Sequence, residues 1–399
     1  MNVLHINQSY EIKGGAEVYV HQLQELLPKY GVSSFFVAVS DSITKKLFDV
    51  NGKNVSLIKK SKYEVEEFLS SYIEDNKIDL IHIHSISNID LVKFCLHKKP
   101  VIRSMHEPRM FCPGRQKFFL KSETICNIPF GLHCCMHAYT QKCQDSRIPS
   151  EVIASYENVS FEINYAAKKY KCILAMSDYI KKEALLAGIP GQNIIVIPFF
   201  TPIMGGPNEE LYQKKTEKHI VFVGRLHASK GVHTLIKSLS DILKKEKGVF
   251  LDIIGDGLFK KELLKIISSQ NIPSEKVIFH GWLKHNDTIR KIKDSYLVVF
   301  PSIYPEAFGL VGIEAMMHSK PVVAFDAGGV SSWLKDQVTG FLVDIKDEIK
   351  FAEKVSSLLN NEELYMTLSL NARKLALENF VPKFHLETLV KLYKGELPN

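Results

Sequence analysis

No apolar run in this 399-residue sequence approaches the 18 or so residues that a membrane-spanning helix requires. The first residues, Met1-Asn2-Val3-Leu4-His5-Ile6-Asn7, lack the charged start and long apolar stretch of a secretion signal and look like a first strand. Both absences predict a soluble, intracellular protein. No self-similarity at 20 to 50 residues is visible, which argues against solenoids and propellers. With 22 Gly and 16 Pro there is no low-complexity excess. Nor is there a basic arm. The net charge of +7 comes from 51 Lys and Arg against 44 Asp and Glu, with 24 and 20 in residues 1–200 and 27 and 24 thereafter. A nucleic-acid reader would want a clustered stripe and a recognisable module, and neither is present. The mild basic balance suits anionic small substrates or an acidic membrane face.

What is present is an ordinary globular composition, 45% apolar and 24% charged, at a length suited to two or three domains. Short apolar runs alternate with longer amphipathic ones, and the series occurs twice. The first comprises 2–7, 35–39, 79–84, 100–105, 172–176 and 194–197. The second comprises 219–223, 250–254, 276–279, 297–300, 321–324 and 340–343. Runs of four to six Val, Ile and Phe without alternation are what strands covered on both faces look like. Helical patterns such as 16–30, with Val18, Leu23, Leu26 and Leu27 on one face, lie between them. Strand–helix alternation implies α/β architecture with parallel, doubly wound sheets.

The two series predict a domain over 1–199 and another over 219–380, Rossmann-like and facing each other across a cleft. Residues 200–218, with Pro202, Gly205, Gly206 and Pro207, read as the linker. Leu386, Leu389, Val390 and Leu392 share a helical face within 381–399, a helix expected to pack back on the first domain.

The segment richest in chemistry runs from Leu297 to Met316 and contains Pro305-Glu306-Ala307-Phe308-Gly309-Leu310 and Glu314. A buried strand should end at Pro301, and a helix should begin near Phe308. Its first N–H groups, at Gly309 and Leu310, lack intrahelical acceptors and carry the positive end of the helix dipole. That makes an anion site, which Gly309 lets the anion approach. Carboxylates beside a bound phosphate need neutral partners, and sugar or ribose hydroxyls would serve Glu306 and Glu314. A second segment, from Ile220 to Gly231, ends a strand at Gly224 and follows it with Arg225 and Lys230. Two cations outside a strand's carboxyl end suit a diphosphate.

The Glu-x7-Glu spacing inside Pro-Glu-x-Phe-Gly-Leu-x-x-x-Glu-Ala-Met resembles the signature of the family-4 retaining glycosyltransferases of the GT-B type, with two Rossmann domains, and the likeness extends over most of the chain. The resemblance implies that Glu306 contacts the donor sugar and Glu314 the nucleotide ribose. It further implies that the Phe308–Leu310 backbone holds sugar and diphosphate, and that Arg225 and Lys230 stabilise the departing diphosphate. Lys13-Gly14-Gly15-Ala16-Glu17 is no dinucleotide fingerprint, since the full Gly-x-Gly-x-x-Gly is missing. It resembles the family's Gly-Gly-x-Glu entrance loop, where paired glycines would permit positive φ and close approach to a phosphate or acceptor at Gly15. His84, His106 and Ser177 each follow an apolar run and should project from strand ends. His106 stands where the family often places a histidine near the donor sugar. Gly255-Asp256-Gly257 and Phe279-His280-Gly281-Trp282 resemble its base-pocket loops, with backbone contacts from Gly281.

Residues 107–145 do not fit either series. Five of the seven cysteines fall there (Cys112, Cys126, Cys134, Cys135 and Cys143), with His133 and His137 between. Clustered cysteines in an intracellular enzyme suggest a metal before disulfides, but the spacing fits no standard zinc pattern with close pairs. Packed thiols are the alternative, and no metal ligands are assigned.

The implied activity moves a sugar from a nucleotide-diphosphate sugar, a UDP-sugar first and a GDP-sugar second, to a glycan, glycolipid or small-molecule hydroxyl, keeping the anomeric configuration. No Asp-x-Asp supplies a metal for the diphosphate, so fixed cations must serve. The family implies surface-polysaccharide assembly in the cytoplasm, with peripheral membrane contact, and no cofactor beyond the donor co-substrate. Two rivals stand beside it. Against a nucleotide-sugar epimerase or phosphorylase on the same scaffold, the Gly-Arg-x4-Lys and Glu-x7-Glu pair favours transfer, and a phosphorylase would normally be longer. A non-catalytic scaffold subunit could lose Arg225, Lys230 or Glu306 freely, yet all three are present.

Overall fold

The computed structural model describes residues 1–11, 14–39, 46–51, 54–59, 62–202 and 216–396. Lys13 and the greater part of the expected linker, with Gly205, Gly206 and Pro207, lie outside the described residues. The chain divides into two units. One comprises 1–122, 126–199 and 383–399, the other 123–125 and 200–382.

The first unit is built on an eight-stranded sheet. Its strands are β1 (Asn2–Asn7), β2 (Ser33–Val39), β3 (Lys46–Asn51), β4 (Asn54–Lys59), β5 (Leu80–Ile83), β6 (Val101–Met105), β9 (Cys172–Ala175) and β10 (Ile194–Val196), in the order β10-β9-β6-β5-β1-β2-β3-β4. Two short strands, β7 (Phe118–Phe119) and β8 (Thr124–Ile125), fall within the cysteine-bearing segment. All neighbours from β10 to β2 are parallel, while β2–β3 and β3–β4 are antiparallel. The helices are α1 (Gly15–Leu26), α2 (Lys62–Asp75), α3 (Ile89–Lys98), α4 (His133–Thr140), α5 (Pro149–Asn164) and α6 (Asp178–Leu186). The strands β5, β6 and β9 are buried at every residue, as continuous apolar runs demand in a sheet covered on both faces.

The second unit holds a six-stranded, wholly parallel sheet of β11 (Lys218–Val223), β12 (Val249–Ile254), β13 (Val277–Gly281), β14 (Leu297–Phe300), β15 (Val322–Phe325) and β16 (Gly340–Val343), ordered β13-β12-β11-β14-β15-β16. Its helices are α7 (Val232–Lys245), α8 (Lys260–Ser269), α9 (His285–Asp294), α10 (Leu310–Met317), α11 (Glu348–Asn360) and α12 (Glu362–Asn379). The strand order reverses between β11 and β14, and loops leaving the carboxyl ends of such a pair form the usual ligand crevice of an open α/β sheet.

The last helix, α13 (Pro382–Lys394), clusters with the first unit. Its Leu386, Leu389, Leu392 and Tyr393 are buried there. Lys171 Nζ donates to the Tyr393 carbonyl at 2.9 Å, and Tyr19 OH and His385 Nε2 lie 2.8 Å apart. Among the described residues no helix is long and apolar enough to cross a membrane.

Candidate active site

Three loops converge at the carboxyl ends of β11, β14 and β15. The loop after β11 passes through Arg225 to Lys230 and Gly231, which caps α7. Gly231 has φ +66°, and a Cβ there would stand 1.9 Å from the Pro301 carbonyl oxygen. Only glycine lets this loop lie against the end of β14. Ile303 N–H then donates to the Ser229 carbonyl at 3.0 Å, tying the two loops together. After β14, Glu306 is clamped by its backbone to the loop after β15: its N–H donates to Ala327 O at 3.2 Å, and Gly329 N–H donates to Glu306 O at 2.7 Å.

The result is a buried carboxylate at the end of β14, 6% exposed. Lys230 Nζ donates to Glu306 Oε1 at 2.6 Å, Tyr304 OH donates to Oε2 at 2.8 Å, and Ser302 OH donates to Oε1. Lys230 Nζ also lies 4.7 Å from the centroid of the Tyr304 ring, a cation–π contact. Lys230 and Glu306, read separately in the sequence, therefore act as one charge-paired unit. Tyr304 and Ser302 were not singled out in the sequence. Their signal was proximity to Glu306 in a loop opening from a buried strand. Arg225 is exposed on the same loop as Lys230, and its side chain makes no bond to a described residue.

The helix α10 starts at Leu310, two residues later than expected near Phe308. Phe308 is instead a buried anchor, 1% exposed, whose carbonyl accepts from Trp333 Nε1 at 2.7 Å. This delays the helix and leaves Gly309 as its cap, at φ 113°. A Cβ on Gly309 would meet the Phe300 ring at 3.0 Å and Trp333 Nε1 at 3.3 Å. The backbone of 309–310 thus presents its N–H groups beside a position where no side chain fits.

Within α10, Glu314 is buried, and its pKa is pushed up to about 7 because burial opposes its charge. His285 Nε2, on α9, lies 2.9 Å from Glu314 Oε1. Burial also lowers the His285 pKa. Both groups favour their neutral forms, so this contact is a hydrogen bond more than an ion pair. His285 was missed in the sequence, where nothing distinguishes it from other helix-start residues. Gly224 ends β11, and Gly255 N–H donates to Gly281 O at 2.8 Å, joining the loops after β12 and β13. His280 is bonded to the buried Asp252, and Trp282 is exposed.

The remaining expected residues lie in the first unit. Gly14 caps α1 at φ −172°, ordinary extended backbone, and Gly15 opens the helix. Neither glycine uses the positive φ that the pair would permit, and both are exposed. His84 does not project from its strand end. It is 0% exposed and its ring nitrogens face His5 and His106. Ser177 is likewise turned inward, 1% exposed, where its Oγ caps α6 by accepting from Ile180 N–H at 3.3 Å. His106 is 9% exposed, stacked on Phe199 at a centroid distance of 5.6 Å. Burial, with Arg103 and Arg109 adding to it, holds its pKa down at about 3, so it is neutral at physiological pH.

All five cysteines of the 107–145 segment are free, half-buried thiols. Burial raises the pKa of Cys112, Cys134 and Cys143, the last to about 12. Among the described residues one group of side chains, His5, His82 and His84, brings three potential metal-ligating atoms within 4.8 Å of one another, and it contains no cysteine.

Residues 208–375 match the family described as Glycosyl transferases group 1. That segment contains the Arg225, Lys230, Glu306 and Glu314 positions. The chain is 25% identical to an uncharacterized 41.2 kDa protein in the cps region of Klebsiella pneumoniae, over 98% of each. It is 31% identical to a poly(ribitol-phosphate) alpha-N-acetylglucosaminyltransferase of Staphylococcus aureus over 50% of this chain, an alignment spanning 38% of that longer protein. Among solved structures, HepE from Anabaena in complex with UDP superposes with a TM-score of 0.70 at 19% identity, covering 99% of this chain and 100% of that one. The fold is GT-B.

Proposed function

We propose that this protein is a retaining, metal-independent glycosyltransferase of family 4, moving a sugar from a nucleotide-diphosphate sugar to a hydroxyl of a glycan, glycolipid or small molecule. The observation that carries the reading is the Lys230–Glu306 pair, 2.6 Å apart beside the strand-order reversal, with Glu306 in the loop that leads to the Gly309 cap of α10. Its surroundings are suited to a diphosphate leaving group. Arg225, Lys230 and the 308–310 backbone supply positive charge where negative charge grows, and preorganised charge of this kind usually contributes more to catalysis than any other single effect. Glu306, held by three donors, orients the sugar, and Glu314 with its raised pKa hydrogen-bonds the ribose. Gly224 and Gly281 line the base and diphosphate with backbone. The first unit's own candidates are Gly15 and His106, the latter a neutral hydrogen-bonding group. Both glutamates serve the donor, so neither is free to act as a glycosidase nucleophile. The departing diphosphate oxygen takes the acceptor proton as the new bond forms on the same face.

UDP is the favoured nucleotide, supported by the UDP bound in the Anabaena neighbour, with GDP as the alternative. The relative from a cps region and the poly(ribitol-phosphate) transferase support an acceptor in surface-polysaccharide assembly, which would place the work in the cytoplasm at the inner membrane face. The test is a thermal-shift screen against UDP, GDP, ADP and CMP, followed by transfer from the matching sugar nucleotides with NMR of the product anomer. Failure of every nucleoside diphosphate to stabilise the protein would sink the donor site. A product with inverted configuration would sink the retaining mechanism alone. Accumulation of a C2 epimer without acceptor would favour the epimerase.

A further inference from the structure

Behind His106 stands a line of imidazoles that nothing in the proposed transfer requires. His106 Nε2 lies 2.9 Å from His84 Nδ1, and His84 Nε2 lies 3.0 Å from His5 Nδ1. The rings are stacked, 17° apart at each step. The two end nitrogens, His106 Nδ1 and His5 Nε2, are buried and have no hydrogen-bond partner. His82 packs against the line, its ring centroid 4.2 Å from that of His84, but does not join it. Its nitrogens are taken by Tyr393 OH at 2.7 Å and Ser104 Oγ at 2.8 Å. This tells against a cation among His5, His82 and His84, because ligation needs bare lone pairs and both nitrogens of His82 and of His84 already have partners.

Burial keeps each ring uncharged at neutral pH: His5 and His106 are held near about 3, and His84 well below its usual value. A neutral imidazole carries one N–H and one lone pair. Two internal N–H···N bonds can therefore form in only two concerted ways. Either every proton sits on Nε2, leaving a lone pair on His106 Nδ1 and an N–H on His5, or every proton sits on Nδ1 and the ends are exchanged. The two arrangements have opposite dipoles along the line.

Fixed charge distinguishes them. Arg103 on β6 and Arg109 just beyond it bracket His106 in the chain, whereas His5 lies on β1, two strands away in the order β6-β5-β1. The same two guanidinium groups help burial to lower the His106 pKa. Arg103 is itself locked, 1% exposed, by bonds to the His84 and Ile86 carbonyls and by Glu162 at 3.1 Å. Arg109 is held by Glu107 at 2.6 Å. His385 and Tyr19, which also pack around the cluster, are bonded to each other. Positive charge at the His106 end favours a lone pair there over an N–H. We infer that the His5–His84–His106 line rests with its protons on Nε2, and that His84 and His5 are positioning residues that keep His106 Nδ1 a bare hydrogen-bond acceptor. That a sugar hydroxyl uses this acceptor rests on the glycosyl-transfer reading; the tautomer itself does not.

The experiment is 15N NMR of the full-length, histidine-labelled protein at pH 7.5, with His106 assigned by loss of its signals in His106→Asn. The expected result is a lone-pair shift at His106 Nδ1 and a protonated Nε2. His84→Leu removes the acceptor for Nε2–H and should raise the Nδ1–H form of His106 at least about tenfold. His84→Asn, with an amide oxygen near the Nδ1 position, should restore the original tautomer. With UDP-glucose as donor, His84→Leu should lower kcat about tenfold at little-changed KM, and His84→Asn should recover it. A wild-type His106 protonated on Nδ1, or a tautomer unmoved by His84→Leu in a protein that remains folded by its melting curve, overturns the inference. Absence of turnover with every sugar nucleotide would count against the transferase reading while the NMR result stood.

Discussion

Lys230 Nζ and Glu306 Oε1, 76 residues apart in sequence, lie 2.6 Å apart at the ends of adjacent strands. The pair is asymmetric. Glu306 is almost wholly enclosed, whereas the Lys230 side chain retains 19% exposure. Removing the lysine strands a buried charge, while removing the glutamate leaves an ammonium that can reach water. Lys230→Ala is thus expected to cost about 1–3 kcal/mol of stability and Glu306→Ala less. Each should reduce kcat by at least about 100-fold. Chemical denaturation and steady-state kinetics with the donor found by the nucleotide screen check both. Near-normal turnover in either variant would refute the site.

Gly231 is where the fold enforces that pairing. Its positive φ and the Pro301 carbonyl 1.9 Å from any Cβ mean that Gly231→Ala should lose about 2–4 kcal/mol and spread the β11 and β14 loops. Urea denaturation measures the first. The second predicts that kcat falls even in the fraction that remains folded.

Acid should affect Glu314 and the buried histidines of the first unit in opposite senses. Glu314, with a pKa near about 7 against the usual 4.5, binds its proton more tightly folded than unfolded. Its contribution to stability is full below about pH 4.5 and falls as the pH rises through 7. The span amounts to about 3 kcal/mol. His5 and His106, near about 3, and His385, near about 4, behave conversely. The unfolded chain binds their protons first, so their contribution is lost as the pH falls from about 6.5 toward those values. Amide hydrogen exchange at pH 5 and pH 7.5 should show the strands around His5 and His106 weakening in acid, and α10 gaining from Glu314 against the opposing pull of His233 and His285, whose pKa values burial lowers. Glu314→Gln should abolish that gain.

Glu314→Ala should weaken binding of the free nucleoside diphosphate about tenfold or more, with Lys230 and Glu306 in place. Isothermal calorimetry measures it, and unchanged affinity would remove Glu314 from the nucleotide site.

The parallel strands were legible because covered strands are apolar throughout: Leu297–Phe300 reads the same in sequence and in space, and Val322–Phe325 lies one residue later than the run 321–324. The last two strands of the sheet, β3 and the edge strand β4, escaped because they are antiparallel, and Leu47, Asp49, Val55 and Leu57 fall in mixed rather than continuous runs. Asn51-Gly52 between them was the available hairpin signal. Spacing along one segment flagged Glu306 and Glu314, but could not reveal that Lys230 neutralises the first or that His285 meets the second, since both partners come from other loops. The histidines show the limit most clearly. A histidine after an apolar run reads as pointing outward from a strand end, and only the neighbouring strands show that His84 is enclosed between His5 and His106.

The first unit is not contiguous in sequence: residues 1–122 and 126–199 are joined there by 383–399, and Tyr393 supplies the hydroxyl that meets His82. During synthesis the amino-terminal sheet must therefore wait, with the seats of Leu386, Leu389 and Tyr393 vacant, while the ribosome makes the whole intervening unit. A nascent chain stalled at residue 382 would have its second unit made and its first one still lacking α13, an exposed apolar seam that chaperones would be expected to hold until translation ends.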